Sequence, residues 1–419
     1  MALQTPALQP LRPWSAAIIA AVVAAACSGA SPAEPVAPAA PPASASGAPV
    51  PVAAGGDEEP AASPVPAPTS SVAPVADAGP SACPPGMVLV EGDYCTEVEQ
   101  KCLQSWFDKS NKKLVCEVFE PPTRCVGQRV KKRFCIDEYE WPNQAGVRPE
   151  VMNRFHQAQV KCAAVGKRMC TESEWTFACE GPEMKPFPYG YVRDPRKCNG
   201  DHPWDGPNME KVAARDPIEL GRLWRGVPSG SQPLCVSDFG VWDLPGNADE
   251  VVASESYLLP GFKGKFDSIH TGGPWYKGVR NQCRPKVYTH DEGFYYYFLS
   301  FRCCAEPDGA ETDPLTPKQR HDHWDFSRVE RSATFTREEV RAALAEKAKN
   351  GHCGCAALTS SRQRVRCDTL CGTTVGANAV DAVQPAPVGV PPFGAEDRAP
   401  DAAVQRALEA GRRPDPGAR

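Results

Sequence analysis

The stretch Gly240-Val241-Trp242-Asp243-Leu244-Pro245-Gly246-Asn247-Ala248-Asp249-Glu250 decides how this chain is read. A Gly-Asn turn sits within it, ringed by oxygen donors. The carboxylates of Asp243 and Glu250 lie seven residues apart, and the turn's carbonyls can point inward between them. A hard cation takes about six to eight oxygens from carboxylates and backbone carbonyls, so the pattern suits calcium. It also describes a solvated acidic turn in which Asn247 and Glu250 bond the loop backbone.

Working outward, Gly272-Gly273-Pro274-Trp275 and Ser300-Phe301-Arg302-Cys303-Cys304 follow downstream. Upstream runs Gly166-Lys167-Arg168-Met169-Cys170-Thr171-Glu172-Ser173-Glu174-Trp175. A hydroxyl three residues before a carboxylate is a capping box, so Thr171 opens a helix whose Trp175 and Ala178 face the core. Before it, 149–165 places Met152, Phe155, Ala158 and Cys162 at helical spacing, and Gly166 suits the C-cap. Phe134 to Glu140 reads as a half-buried strand. Cys83 to Cys95 holds two apolar runs about Glu91-Gly92-Asp93, a hairpin signal. The interval 96–133 is rich in Cys, Lys and Glu and reads as a disulfide-pinned insertion. From Gly181 to Cys235 the chain is rich in Pro, Gly and Asp, as long loops are. Past Glu306, Thr336 to Asn350 reads as a capped helix.

The two ends differ in character. Arg12 precedes an apolar run from Trp14 to Ala26, too short to span a bilayer and suited to an export signal. Ala24-Ala25-Ala26-Cys27 resembles a lipoprotein cleavage site, with Cys27 the lipidated residue; ordinary secretion is the alternative. Residues 28–82, mostly Ala, Pro, Ser, Val and Gly, read as a tether, and 379–419 as a mostly disordered tail. Of 19 cysteines, 14 fall between Cys83 and Cys304 and 4 between Cys353 and Cys371. Even counts fit two closed disulfide sets in an exported protein; for the second set a zinc site with His352 is the alternative. The net charge of −5 and scattered basic residues give no case for nucleic acid. The histidines are scattered too, and the pair His321 and His323 lies outside the core. The expected organisation is thus 1–27 signal, 28–82 linker, 83–306 globular domain, 307–378 helix plus four-cysteine segment, and 379–419 tail.

Taken in order, these motifs resemble the formylglycine-generating, or sulfatase-modifying factor, family over about half the chain. Cys83-Pro84-Pro85-Gly86-Met87 is similar to that family's opening strand. Phe134 to Pro142 matches an internal strand, Gly166 to Trp175 the Gly-Lys-Arg-Leu-Pro-Thr-Glu-Ala-Glu-Trp helix opening, and Pro188-Tyr189-Gly190 its Pro-Trp-Gly. The resemblance implies an α+β, C-type-lectin-like fold with short strands, two main helices, long loops and several disulfides. It implies the pairs Cys162–Cys303 and Cys179–Cys283, each closing a loop worth about 4.7 kcal/mol in the chain-entropy model. It places Asp243 and Glu250 as side-chain calcium ligands, Gly246 and Ala248 as carbonyl ligands, and Asn199 at a second calcium site. It departs at the chemistry. The family's enzymes carry two copper-binding cysteines a few residues past Gly-Gly-Ser, whereas here Pro274 replaces the serine and only Cys283 follows. Asp249 replaces the usual Trp. Copper(I) requires a thiolate, which neither Lys277 nor Gln282 can supply, so copper is not expected. Iron-dependent relatives on this fold borrow histidines from a helical domain that has no counterpart here.

If the family's cleft persists, Trp275, Tyr276, Arg280 and Arg284 should floor it, near Tyr295 to Phe298, and suit a peptide, carboxylate or glycan. Alternatively Trp275, Phe298 and Phe301 are core and the arginines pair with carboxylates. The expected protein is a cell-envelope lipoprotein, held to the membrane by its lipid, with a non-catalytic, calcium-stabilised module for binding or scaffolding. A copper- and oxygen-dependent oxidase of protein cysteine using Cys303-Cys304, and a purely structural envelope protein, are the other readings.

Overall fold

A computed structural model describes residues 81–109 and 112–372. The export signal, Cys27, the tether and the tail after residue 372 lie outside the described residues. Twelve strands are β1 Met87–Cys95, β2 Val98–Glu99, β3 Cys102–Asp108, β4 Lys113–Phe119, β5 Arg124–Cys125, β6 Arg129–Asp137, β7 Arg168–Met169, β8 Asp249–Ala253, β9 Ser268–Thr271, β10 Lys286–Val287, β11 Leu299–Ser300 and β12 Cys303–Ala305. The helices are α1 Phe155–Ala164, α2 Glu172–Glu180, α3 Met209–Ala213, α4 Pro217–Leu223, α5 Phe262–Lys265, α6 Pro317–His321, α7 Phe326–Ala333, α8 Arg337–Asn350 and α9 Ser361–Cys371.

Two four-stranded sheets organise the molecule, in the orders β1-β6-β12-β7 and β10-β9-β8-β11. The expected Cys83–Cys95 hairpin does not form. Instead β1 runs unbroken and pairs antiparallel with β6, setting Glu91 opposite Arg133 and Asp93 opposite Lys131. The side chains meet at 3.2 and 3.1 Å; opposite charges across a ladder favour a strand where Glu-Gly-Asp alone favours a turn. Nor does β6 alternate: Phe134, Cys135, Ile136 and Asp137 are all buried, because Phe134 and Ile136 pack with Trp175 and Phe177 while Cys135 packs with Cys83, Met87 and Ala305. The insertion forms the ribbons β2-β5 and β3-β4, cross-linked by Cys95–Cys125 and Cys102–Cys116.

Helix α2 opens at Thr171, whose hydroxyl accepts from Glu174 N–H at 3.4 Å while the Glu174 carboxylate accepts from Thr171 N–H at 2.8 Å. Its Trp175, Phe177 and Ala178 pack with Val90, Phe134 and Ile136 of one sheet and Val252 and Ile269 of the other. Helix α1 starts six residues later than its sequence pattern suggests. Residues 149–154 stay out of the helix because Glu150 N–H bonds the Trp141 carbonyl and Met152 N–H that of Tyr296. All ten residues of α1 are buried. Phe155, Ala158 and Cys162 face the aromatic core around Trp275 and Phe301; Val160 and Ala164 face Val329, Ala333 and Val340 of α7 and α8. The Gln159 and Gln319 amides buried there bond each other, and Lys161 pairs with Glu150, as the interior demands of polar groups, whereas the buried His156 Nε2 finds no partner among the described residues.

Three cross-links span long stretches of chain: Cys162 of α1 is bonded to Cys303 of β12, Cys170 just before α2 to Cys304 of β12, and Cys179 of α2 to Cys283 in the loop before β10. Cys83–Cys135, Cys198–Cys235, Cys353–Cys371 and Cys355–Cys367 are also bonded. The last two settle the four-cysteine segment as disulfides, leaving no thiolate there for zinc.

Candidate functional site

Residues of a strand alternate between its faces, so Asp249 and Glu250, adjacent at the start of β8, point into two different environments. Glu250 faces the core. Its oxygens accept from Arg302 Nε at 2.8 and 3.1 Å, from Arg302 Nη2 at 2.7 Å and from the Trp175 indole at 2.9 Å. Arg302, fully buried, also donates to the carbonyls of Asp137, Glu138 and Trp242.

Around this pair lie the other expected calcium ligands. Asp243 is buried, with one oxygen accepting from Gly230 N–H at 2.7 Å and the other without a partner. Glu140, also buried, accepts from Ser229 Oγ at 2.6 Å and Asn247 Nδ2 at 2.9 Å. Burial raises both carboxyls, Asp243 to about 6 and Glu140 well above its ordinary range. Three buried carboxylates thus share the single charge of Arg302. The orphaned Asp243 oxygen and this surplus suit a cation, whereas Glu250 is already engaged by Arg302 and Trp175. Among the described residues no three His, Cys, Asp or Glu side chains converge as a ready-made metal cage. A cation at Asp243 would therefore draw on turn carbonyls such as those of Gly246 and Ala248.

Asn247 holds the turn shut. Its side chain accepts from Val227 N–H and Asn199 Nδ2 and donates to Glu140 and the Val227 carbonyl. Asn199 belongs to this same knot: its carbonyl accepts from Asn247 N–H, and its side-chain oxygen lies 2.7 Å from His202 Nε2 rather than among carboxylates.

The expected groove residues do not converge. Trp275 is core, edge-on to Trp224 at 4.7 Å between ring centres. Arg284 reaches the other way, to Glu180 at 2.5 and 2.6 Å and to the Cys95 carbonyl. Tyr276 is half-buried against Phe298. Arg280 opens onto a cavity, where its Nη2 donates to Asp249 at 2.6 Å. That cavity, about 270 Å³, is lined also by His270, Lys277, His290, Phe294 and Phe298. The sequence showed Asp249 only as an unexpected residue and the histidines as scattered. The signal that would have joined them is the pairing of β8 with β9, which sets His270 opposite Val251 on the Asp249 face.

The sulfatase-modifying factor enzyme 1-like domain matches residues 96–307, half of the chain. The chain belongs to the sulfatase-modifying factor family. With membership comes the C-type-lectin-like α+β fold. A curated relative, the inactive C-alpha-formylglycine-generating enzyme 2 of Bos taurus, is 33% identical over 108 residues, which are 26% of this chain. The match spans about a third of that relative's length (33%). Solved structures similar to it include CarF, 15% identical over 53% of this chain and 97% of that one, with a TM-score of 0.33. Treponema denticola variable protein 1 is 13% identical over 52% and 99%, with a TM-score of 0.31.

Within this sulfatase-modifying factor domain, Cys303 and Cys304 cannot serve as a vicinal thiol pair. Strand alternation sends them to opposite sides of β12, to Cys162 and Cys170. Cys283, past the Gly272-Gly273 step, is bonded to Cys179.

Proposed function

We propose that the chain is an exported, lipid-anchored sulfatase-modifying factor homologue that does not oxidise thiols and serves as a rigid binding module. One observation carries the reading: every described cysteine is in a disulfide. Copper(I) chemistry of the family type needs a free thiolate pair, and the described domain offers none. Nine cross-links also suit an oxidising compartment, and the inactive bovine relative is in keeping with lost chemistry. Binding, in this reading, uses the rigid frame that the disulfides impose. Alkylation of the exported protein without reduction, followed by peptide mapping, tests it. No label is expected from Cys83 to Cys371; two labelled cysteines together with aldehyde formation on a cysteine peptide would return the oxidase reading.

Calcium forms the second part of the proposal. It would sit against the orphaned Asp243 oxygen and favour the ionised forms of Asp243 and Glu140, which burial disfavours. Saturating calcium at a hundredfold over Kd adds about 2.7 kcal/mol, so the melting temperature should rise with calcium and fall with chelator, and Asp243→Ala should abolish the difference. An unchanged melting temperature in the unsubstituted protein rejects the site.

A further inference from the structure

Past residue 307, where the family match ends, the chain packs α7 and α8 onto α1, and α9 follows. A pocket of about 460 Å³ lies in this seam. One wall is the start of α1 with Arg154, the turn after α3 with Arg215, and Tyr295. The other is the turn between α7 and α8, with Phe335, and one face of α9. Arg362, Val365, Arg366 and Thr369 share that face because they recur at spacings of three and four. Four arginines thus line the pocket, and no Asp or Glu among the described residues does.

Two of the four are already engaged. Arg366 donates to Glu339 at 2.6 Å and to the Thr334 carbonyl. Arg215, buried, donates to the Met152 carbonyl at 2.6 Å, with Glu150 and Asp368 acting on it from further off. Glu150 is itself held by Lys161, Asn153 and the Trp141 indole. The other two are not. Arg154 lies over the Tyr295 ring, 5.1 Å from its centre, and Arg362 is exposed; neither forms an ion pair among the described residues. Five cations (Arg154, Lys161, Arg215, Arg362 and Arg366) thus face three carboxylates (Glu150, Glu339 and Asp368), a surplus of two positive charges. Helix α9 also begins at the pocket, and Ser360 gives it no side-chain cap, so its positive end adds to the surplus. A phosphate monoester carries about −1.5 to −2 at neutral pH, and guanidinium forks match its oxygens in pairs. Inorganic phosphate would leave Phe335 and Val365 unused, and the volume is that of a site for an organic ligand.

We propose that this pocket binds a phosphate monoester of a small organic molecule, its phosphate held by Arg154 and Arg362 and its body against Phe335 and Val365. The proposal deepens the binding-module reading and rests on it. Phenyl phosphate is the probe, titrated into the disulfide-intact protein by calorimetry. Saturable binding is expected with Kd near ~100 μM for so small a ligand. Inorganic phosphate, which lacks the body, and phenyl sulfate, which carries one charge, should each bind at least about tenfold more weakly, a step of 1.4 kcal/mol. Arg362→Gln and Arg154→Gln, both at exposed positions, should weaken phenyl phosphate by at least as much with unchanged melting temperatures. Arg364→Gln, on the same helix but away from the pocket, should leave binding as it was. No saturation by about 10 mM phenyl phosphate, equal affinity for phenyl sulfate or inorganic phosphate, or an equal loss in the Arg364 variant would each overturn the proposal. None of these outcomes bears on the alkylation map, so loss of the pocket ligand and loss of the non-oxidase reading remain distinguishable.

Discussion

Arg302 carries the buried electrostatics of the domain. It neutralises Glu250 and donates to three backbone carbonyls, those of Asp137 in β6, Glu138 just after it and Trp242 in the loop before β8. Removing one member of a buried pair leaves an uncompensated charge, which costs about 3–5 kcal/mol. Arg302→Met should lower stability by that amount in urea denaturation, and adding Glu250→Gln should recover part of it. Full stability in the single variant would show that Arg302 does not carry the charge balance of Glu250. At this scale the sequence was half legible. Phe301-Arg302-Cys303 and the Gly246-Asn247 turn were readable as motifs, because their spacing is local. That Arg302 would claim Glu250, placed as a calcium ligand, was not, since 52 positions separate them and only the fold brings them together.

The most informative element is α1. Its polar residues, read on an amphipathic pattern, would face water. They are buried because α6, α7 and α8 lie over them, a relation that no periodicity within α1 encodes. His156 sits in this seam, its ring 5.6 Å from Trp324. Burial, with a smaller contribution from Arg328, lowers its imidazole to about 4. The folded protein therefore keeps His156 neutral where an unfolded chain would take up a proton. Stability from this residue is fully present above about pH 6.5 and is lost as pH falls toward 4, by up to about 3 kcal/mol at ~1.4 per unit. Hydrogen exchange of α7 and α8 should quicken over that window, and His156→Phe should flatten the dependence. Protection that stays constant from pH 7 to about 4.5 would place the imidazole in contact with water. By contrast, the α2 cap was read correctly from four residues, since capping is settled within one helical turn.

For the whole molecule, the fold was legible because the family's motifs occur in order, and the cysteine parity pointed to closed disulfide sets. The cavity was not legible. It is assembled from β8, β9, the segment after Gly272-Gly273 and the loop after β10, whose residues meet only through sheet register. The covalent frame makes its own forecast. Reduction under native conditions should lower the melting temperature far more than any single substitution, because Cys162–Cys303, Cys170–Cys304 and Cys179–Cys283 close the longest loops. Calorimetry of the reduced and oxidised forms measures this, and similar melting temperatures would mean that packing alone holds the sheets.

The interlocking of those three bonds reaches beyond thermal stability. Cys162–Cys303 and Cys170–Cys304 cross one another along the chain, and Cys179–Cys283 lies inside both. A protease that cuts once in the long loops between Cys179 and Cys283 therefore releases nothing. The halves stay joined and migrate as one species on a non-reducing gel, separating only when a reductant is added. In surroundings full of proteases, such a protein can be nicked once anywhere in that stretch and remain in one piece.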